Sequence, residues 1–209
     1  VSDDIAAAKK PVRWNFRKDN LPTVDKVFVL GGDQGSNIAP GTYTLKLTTE
    51  NNSSETRVTI LPNPKVKGTM ADYEEQQAVL NRIENAVTEI HTSVNAMRSA
   101  KAQLKQYSDL LKNNDKAEDL LKKGDSLVKR ITKWEENLIQ PKQKTFQDVI
   151  NFTNRLNAQL MNLRGYVDVA EPKVTAGAKQ RLQDLLGQWN TFKREHDAII
   201  NTEMKEFND

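Results

Sequence analysis

Residues 70–111 read MADYEEQQAVLNRIENAVTEIHTSVNAMRSAKAQLKQYSDLL, and this stretch decides how the chain folds. Leu80, Ile83, Val87, Ile90, Val94, Met97, Leu104 and Leu111 fall on alternating three- and four-residue steps, broken only by Lys101 and Ser108. That spacing is a heptad seam and predicts one long helix. At 1.5 Å per residue the helix would run roughly 60 Å, and its single apolar stripe needs partner helices of comparable reach. Thr69 is placed to cap it, with Asp72 in the first turn, and Asn113-Asn114 marks its end.

The partners follow in order. Asp115 opens a second helix carrying Ala117, Leu120, Leu121, Leu127, Ile131, Trp134 and Leu138, with Gly124 on the seam, and it stops before Pro141. A third, from about Gln147 to Val169, carries Val149, Phe152, Leu156, Leu160, Leu163 and Val167 and ends at Glu171-Pro172. The fourth, from about Thr175 to Phe207, carries Leu182, Leu185, Trp189, Phe192, His196 and Ile199. Short connections at Asn113-Asn114 and Ala170-Pro172 favour antiparallel neighbours, hence an up-down-up-down four-helix bundle. The alternative merges helices two and three across a kink near Pro141, giving three long helices. Within the seams Ile90 is expected to be buried, and its neighbour Glu89 solvated.

Residues 1–64 carry a different period. Val12, Trp14 and Phe16 alternate with Arg13, Asn15 and Arg17, and Tyr43, Leu45 and Leu47 alternate with Thr44, Lys46 and Thr48. These patterns predict strands, as does the continuous apolar run Val27-Phe28-Val29-Leu30. Gly41–Thr49 and Glu55–Leu61, joined by the polar Glu50–Ser54 run, read as a hairpin. Four strands make half of an immunoglobulin-like sandwich and leave one face needing a cover. Pro62-Asn63-Pro64 closes the region. The expected class is therefore α+β, mostly α, with a partial β module over 1–64 and an elongated helical bundle over 65–209.

Composition narrows the function. The chain has 209 residues, 37% hydrophobic, with 31 basic and 28 acidic side chains and a net charge of +3. So even a balance gives no electrostatic footprint for nucleic acid or an anionic membrane surface. A mean hydropathy of −0.70 and the lack of any long apolar run argue against membrane insertion. The absence of cysteine excludes disulfides, thiol catalysis and Cys-ligated zinc. The opening Val1-Ser2-Asp3-Asp4 has neither an initiator Met nor a signal-peptide layout, and reads as part of something longer.

Ile38-Ala39-Pro40-Gly41-Thr42-Tyr43-Thr44-Leu45, followed by Val58-Thr59-Ile60-Leu61-Pro62-Asn63-Pro64, resembles the closing strands of immunoglobulin-like modules in secreted bacterial proteins. The helical part resembles the C-terminal tail of large bacterial sortilin-like, Asp-box-repeat propeller proteins, often labelled glycosyl hydrolases. The residues carrying that likeness are Gln147-Asp148-Val149-Ile150-Asn151-Phe152, Arg155-Leu156-Asn157, the Pro172–Thr175 turn and Phe207-Asn208. Thr153 departs from the pattern where proline is frequent, so helix three is expected to start earlier here than in the proteins it resembles. The resemblance implies an extracytoplasmic protein whose propeller, with any glycosidase or ligand site, lies upstream on the same chain. It carries over no catalytic residue, cofactor-binding residue or metal ligand.

Read directly, the residues give the same answer. His91 and His196 are the only histidines and show no zinc spacing; His196 sits on a seam as a packing residue, and His91 beside one, solvated. Gly31-Gly32-Asp33-Gln34-Gly35-Ser36-Asn37 offers oxygens at Asp33, Ser36 and Asn37 but lacks the acidic spacing of a calcium loop. No Gly-Lys-Ser/Thr follows, so it is no phosphate cradle. Asp3-Asp4, Glu74-Glu75 and Glu135-Glu136 are sequence neighbours, pointing about 100° apart on a helix, and read as solvated faces rather than acid/base pairs. Asn52-Ser53-Ser54 and Asn151-Phe152-Thr153 fit the glycosylation sequon, which a bacterial origin makes idle. Trp14, Trp134 and Trp189 are expected in cores. The expected function is a non-catalytic C-terminal structural or interaction module. The alternative is an accessory carbohydrate-contacting region of a glycosidase, which would present two or more solvent-facing rings in one plane.

Overall fold

A computed structural model describes residues 13–208. The protein is mostly helical (59%), with one small antiparallel sheet of two strands. Strand β1 spans Gly41–Thr48 and β2 spans Ser53–Ile60. Helix α1 is Met70–Leu111, 42 residues, followed by a 3-10 turn at Asp115–Ala117 and α2 at Glu118–Leu138. A single turn, α3, at Asp148–Asn151 precedes α4 at Leu156–Val167. Helix α5 at Ala176–Ala198 runs through a π-helical stretch, Ile199–Met204, into α6 at Lys205–Asn208.

Helix α1 starts where its sequence says. The Thr69 hydroxyl accepts from the Asp72 amide at 3.2 Å and the Asp72 carboxylate accepts from the Thr69 amide at 2.8 Å, a complete capping box. Its seam is buried from Leu80 through Met97, with Leu80, Ile83, Val87, Ile90 and Val94 fully enclosed. Lys101 breaks the seam because it reaches Glu135 on α2, which Arg98 also grips at 2.7 Å. Glu135 is thereby buried, not on the solvated face expected of it.

The order of the helices differs from up-down-up-down. Glu75 pairs with Lys179 and Glu89 with Lys193, so a step forward on α1 is a step forward on α5 and the two run parallel. Both α2 and α4 run against α1: Arg98 meets Glu135 on the distal half, while on the proximal half His91 meets Asn157 and Gln76 meets Val167. The descending layer is thus two helices laid end to end, interrupted by residues 139–155. In direction this is nearer the three-helix alternative, though no helix bridges Pro141.

The interruption has a cause. Gln143, 1% exposed, donates to the Phe152 carbonyl at 2.8 Å and to Asn154 Oδ1 at 3.0 Å, holding that stretch extended. Helix α4 therefore starts at Leu156, later than the 147 start expected. Gly124 faces Phe207, whose ring would lie 3.5 Å from an added Cβ, the close crossing its seam position suggested.

The N-terminal region corrects the four-strand expectation. Among the described residues only Gly41–Thr48 and Ser53–Ile60 pair as strands, in register Tyr43 with Val58 and Leu45 with Thr56, across a Thr49–Asn52 turn. Val12 lies outside the described residues, and the Arg13–Arg17 stretch contributes only an isolated bridge from Arg17 to Asn37. Val27–Leu30 is not a strand: Val27 and Val29 pack on the helical core. An apolar run buried on both sides looks the same in sequence whether sheets or helices cover it.

Candidate functional site

The most elaborated polar and apolar contacts outside the helix seams lie where residues 17–37 strap the bundle. The outgoing limb follows α1 in extended form. Lys18 meets Asn81 and Glu84, the Pro22 carbonyl meets His91, the Thr23 carbonyl accepts from Asn95, and the Asp25 carbonyl accepts from Arg98. Geometry allows the match, since the extended chain from Lys18 to Asp25 advances about 23 Å and the helix from Glu84 to Arg98 about 21 Å. The strap turns at Asp25-Lys26, where Lys26 takes φ 59°. It returns beside itself: Leu21 donates to the Asp33 carbonyl at 2.7 Å and Lys18 to the Ser36 carbonyl at 3.0 Å. Gly35 lies where an added Cβ would collide with the carbonyls of Lys18 and Asp19, which explains a glycine that forms no ligand loop.

Charged side chains from the helices satisfy the strap's backbone. Glu84, 6% exposed, accepts from the Ser36 amide at 2.6 Å and from Lys18 at 3.0 Å. Asp168 accepts from the Asn37 amide and side chain and from Arg17. Arg164 donates to the Gln34 carbonyl, and burial pushes its guanidinium below the usual arginine range, offset in part by Glu84 and Asp168. Backbone carbonyls of the Gly31–Asn37 segment are taken by this docking: those of Asp33, Gln34, Gly35, Ser36 and Asn37 accept from Leu21, Arg164, Arg17, Lys18 and Gln77 in turn. Ser36 is fully buried, and its hydroxyl has no partner. Among the described residues no cluster of three or more His, Asp or Glu is placed to hold a metal ion.

Under the strap lies a cavity of about 290 Å³, walled by Leu21, Val24, Val27, Phe28, Val29 and Met161. His91 closes its floor and is 5% exposed, so the solvated position expected of it is wrong. Its Nδ1 lies 2.6 Å from the Pro22 carbonyl, which can only accept, so Nδ1 carries the proton. Nε2 then accepts from the Asn157 amide nitrogen at 3.2 Å. Burial depresses the imidazole's proton affinity, and the Pro22 contact partly opposes that.

The other singled-out residues do not join this site. His196 is half-buried against Trp134, ring centroids 5.4 Å apart, the packing role its seam position suggested. Because α1 and α5 run parallel, Lys101 and His196 both reach the Glu135–Trp134 turn of α2, not opposite ends of the bundle. Trp134 and Trp189 are core residues, and Trp134 donates to the Phe192 carbonyl at 2.8 Å. Trp14 is only half-buried, and its ring tilts 55° from Phe16 and 71° from Tyr43. Glu75 is paired with Lys179, and Asp3-Asp4 lie outside the described residues. Among the described residues no helix is long and apolar enough to cross a membrane. No family model, curated protein or solved structure matches this chain.

Proposed function

We propose that the chain is a non-catalytic structural and interaction module of a larger extracytoplasmic bacterial protein, in which the helices carry a β-hairpin for docking against preceding β structure. One observation carries this reading. The hairpin's two faces differ: one gathers Tyr43, Leu45, Leu47, Val58 and Ile60, with Ser54 and Thr56 among them, and the other carries Thr42, Thr44, Thr48, Lys46, Ser53, Glu55, Arg57 and Thr59. Yet the apolar side is bare toward the tip, with Leu47 54% exposed. A two-stranded hairpin is marginal on its own in water and gains stability when its apolar face is covered. Covering strands from an immunoglobulin-like module would supply that, and the resemblance to propeller-protein tails suggests where such a module sits in the parent chain.

The carbohydrate-contacting alternative is less well supported. Trp134 and Trp189 are enclosed, and the tilted Trp14, Phe16 and Tyr43 rings do not lie in one plane as a sugar platform requires. The purified chain is expected to turn over no aryl glycoside or ester above a matched blank.

The test uses the absence of cysteine. A Leu47→Cys variant gives one thiol, which should react with a maleimide at nearly the free-thiol rate in this chain and at least tenfold slower in the parent polypeptide that includes the preceding module. Equal rates in the two would refute the docking role.

A further inference from the structure

We propose that His91 is an acid-sensitive latch, in which protonation of its ring releases the strap from α1 and α4 and opens the apolar cavity beneath it. One buried side chain joins three elements: α1 supplies the ring, the strap supplies the Pro22 carbonyl at 2.6 Å, and α4 supplies Asn157 at 3.2 Å. Both ring nitrogens are occupied only in the neutral form. A proton added at Nε2 turns an acceptor into a donor facing the amide group of Asn157, itself a donor. The obvious escape, turning the Asn157 amide over, is blocked because its Oδ1 already accepts from the Ala158 amide at 2.7 Å. The new charge would also stand against Leu21, Val24 and Met161, which cannot solvate it.

Surrounding charges do not rescue the imidazolium. On the strap, Asp33 lines the same cavity but makes no hydrogen bond or ion pair with the ring, whose nitrogens face Pro22 and Asn157, while Lys18 is committed to Asn81 and Glu84. On α1, Glu84 lies two turns back, bound to Lys18 and Ser36, and Arg98 two turns on, bound to Glu135 and Asp25. On α4, Arg164 is two turns away on the Gln34 carbonyl, and the 139–147 segment turns Lys144 to the Lys26 carbonyl. Burial, not a neighbouring charge, leads in depressing the ring's proton affinity. The sign follows: the open state binds the proton better, so closure is fully stabilised above the open-state value, about 6.5, and weakens as pH falls below it.

Hydrogen exchange resolved by residue, corrected for the intrinsic pH dependence of exchange, tests this. Protection of the Leu21, Val27 and Phe28 amides should fall between pH 7.5 and 5.5, by at most about tenfold, one proton's worth over the unit below 6.5, while α1 amides hold. In His91→Gln, whose amide offers the same donor and acceptor without titrating, strap protection should not change with pH. Asn157→Asp places an acceptor opposite Nε2, and there protection should hold or rise on acidification. A wild-type strap indifferent to pH, the same fall in His91→Gln, or the same fall in Asn157→Asp would each overturn the latch.

Discussion

The strap and the hairpin are consecutive pieces of one chain, and they invert the usual association between regular structure and burial. Residues 17–37 have no ladder beyond a single bridge, yet Val24 and Ser36 are buried and several backbone groups find partners on the helices. The hairpin has a full eight-pair register, yet almost all its side chains are exposed. Backbone polar groups must be satisfied, and the two segments do this differently. The hairpin pairs with itself and needs nothing from the bundle. The strap does so only in part, through Lys18 to Ser36 and Leu21 to Asp33, so Glu84, Asn95, Arg98, Arg164 and Asp168 serve the rest, and the strap becomes part of the helical core's cover. Packing therefore joins residues 17–38 to the helices.

Substitutions separate the two in a definite order. The largest effect is expected from Ile90→Ala, a fully enclosed side chain in the middle of the α1 seam, at about 2–5 kcal/mol. Chemical denaturation would measure it, and loss of strap contacts should track loss of helix. Glu84→Ala comes next, at about 1–3 kcal/mol, because the buried Ser36 amide loses its acceptor. A strap truly docked on the helices requires that cost; a silent change would detach it from the fold.

Glu89→Ala is smaller but not silent, at about 1 kcal/mol. Glu89 accepts from Lys193 at 2.8 Å and from the Trp189 indole at 2.9 Å, and these bonds, Lys193 first, hold its carboxyl below the usual range. Its contribution is present above the unfolded carboxylate value and is lost as pH falls through the lower folded one, so the variant should show a shallower acid unfolding slope. The smallest effect is Leu47→Ser on the exposed hairpin face, within about 0.5 kcal/mol in this chain. A large loss there would mean that the hairpin packs on the bundle after all.

The long helix was legible to the residue, since its cap and heptads act locally: Thr69 and Asp72 form the box, and Leu80 to Met97 form the seam. Helix direction was legible at the short loops, since Asn113-Asn114 and Ala170–Pro172 do join antiparallel neighbours, but not across 139–155, where nothing nearby reveals that Gln143 will hold residues 152–154 extended and let the chain continue the same way. Glu135 read as a surface charge because its partners Arg98 and Lys101 lie distant in sequence; Glu89 is exposed as expected, but its bonds to the equally distant Trp189 and Lys193 were not legible. His91 carried a faint signal, a lone imidazole one step off the seam. Its role depends on Pro22, 69 residues away, a contact no helical periodicity encodes. The Gly31–Asn37 run suggested a loop with oxygens to offer; it is a loop whose backbone carbonyls are taken up by its own docking.

Residue-resolved hydrogen exchange at neutral pH tests the central contrast most directly. The account predicts that the strap amides of Lys18, Leu21 and Ser36 exchange nearly as slowly as mid-helix amides of α1, while the β1–β2 ladder amides exchange faster by on the order of a hundredfold. Fast exchange through Lys18–Ser36 beside a protected ladder would contradict it.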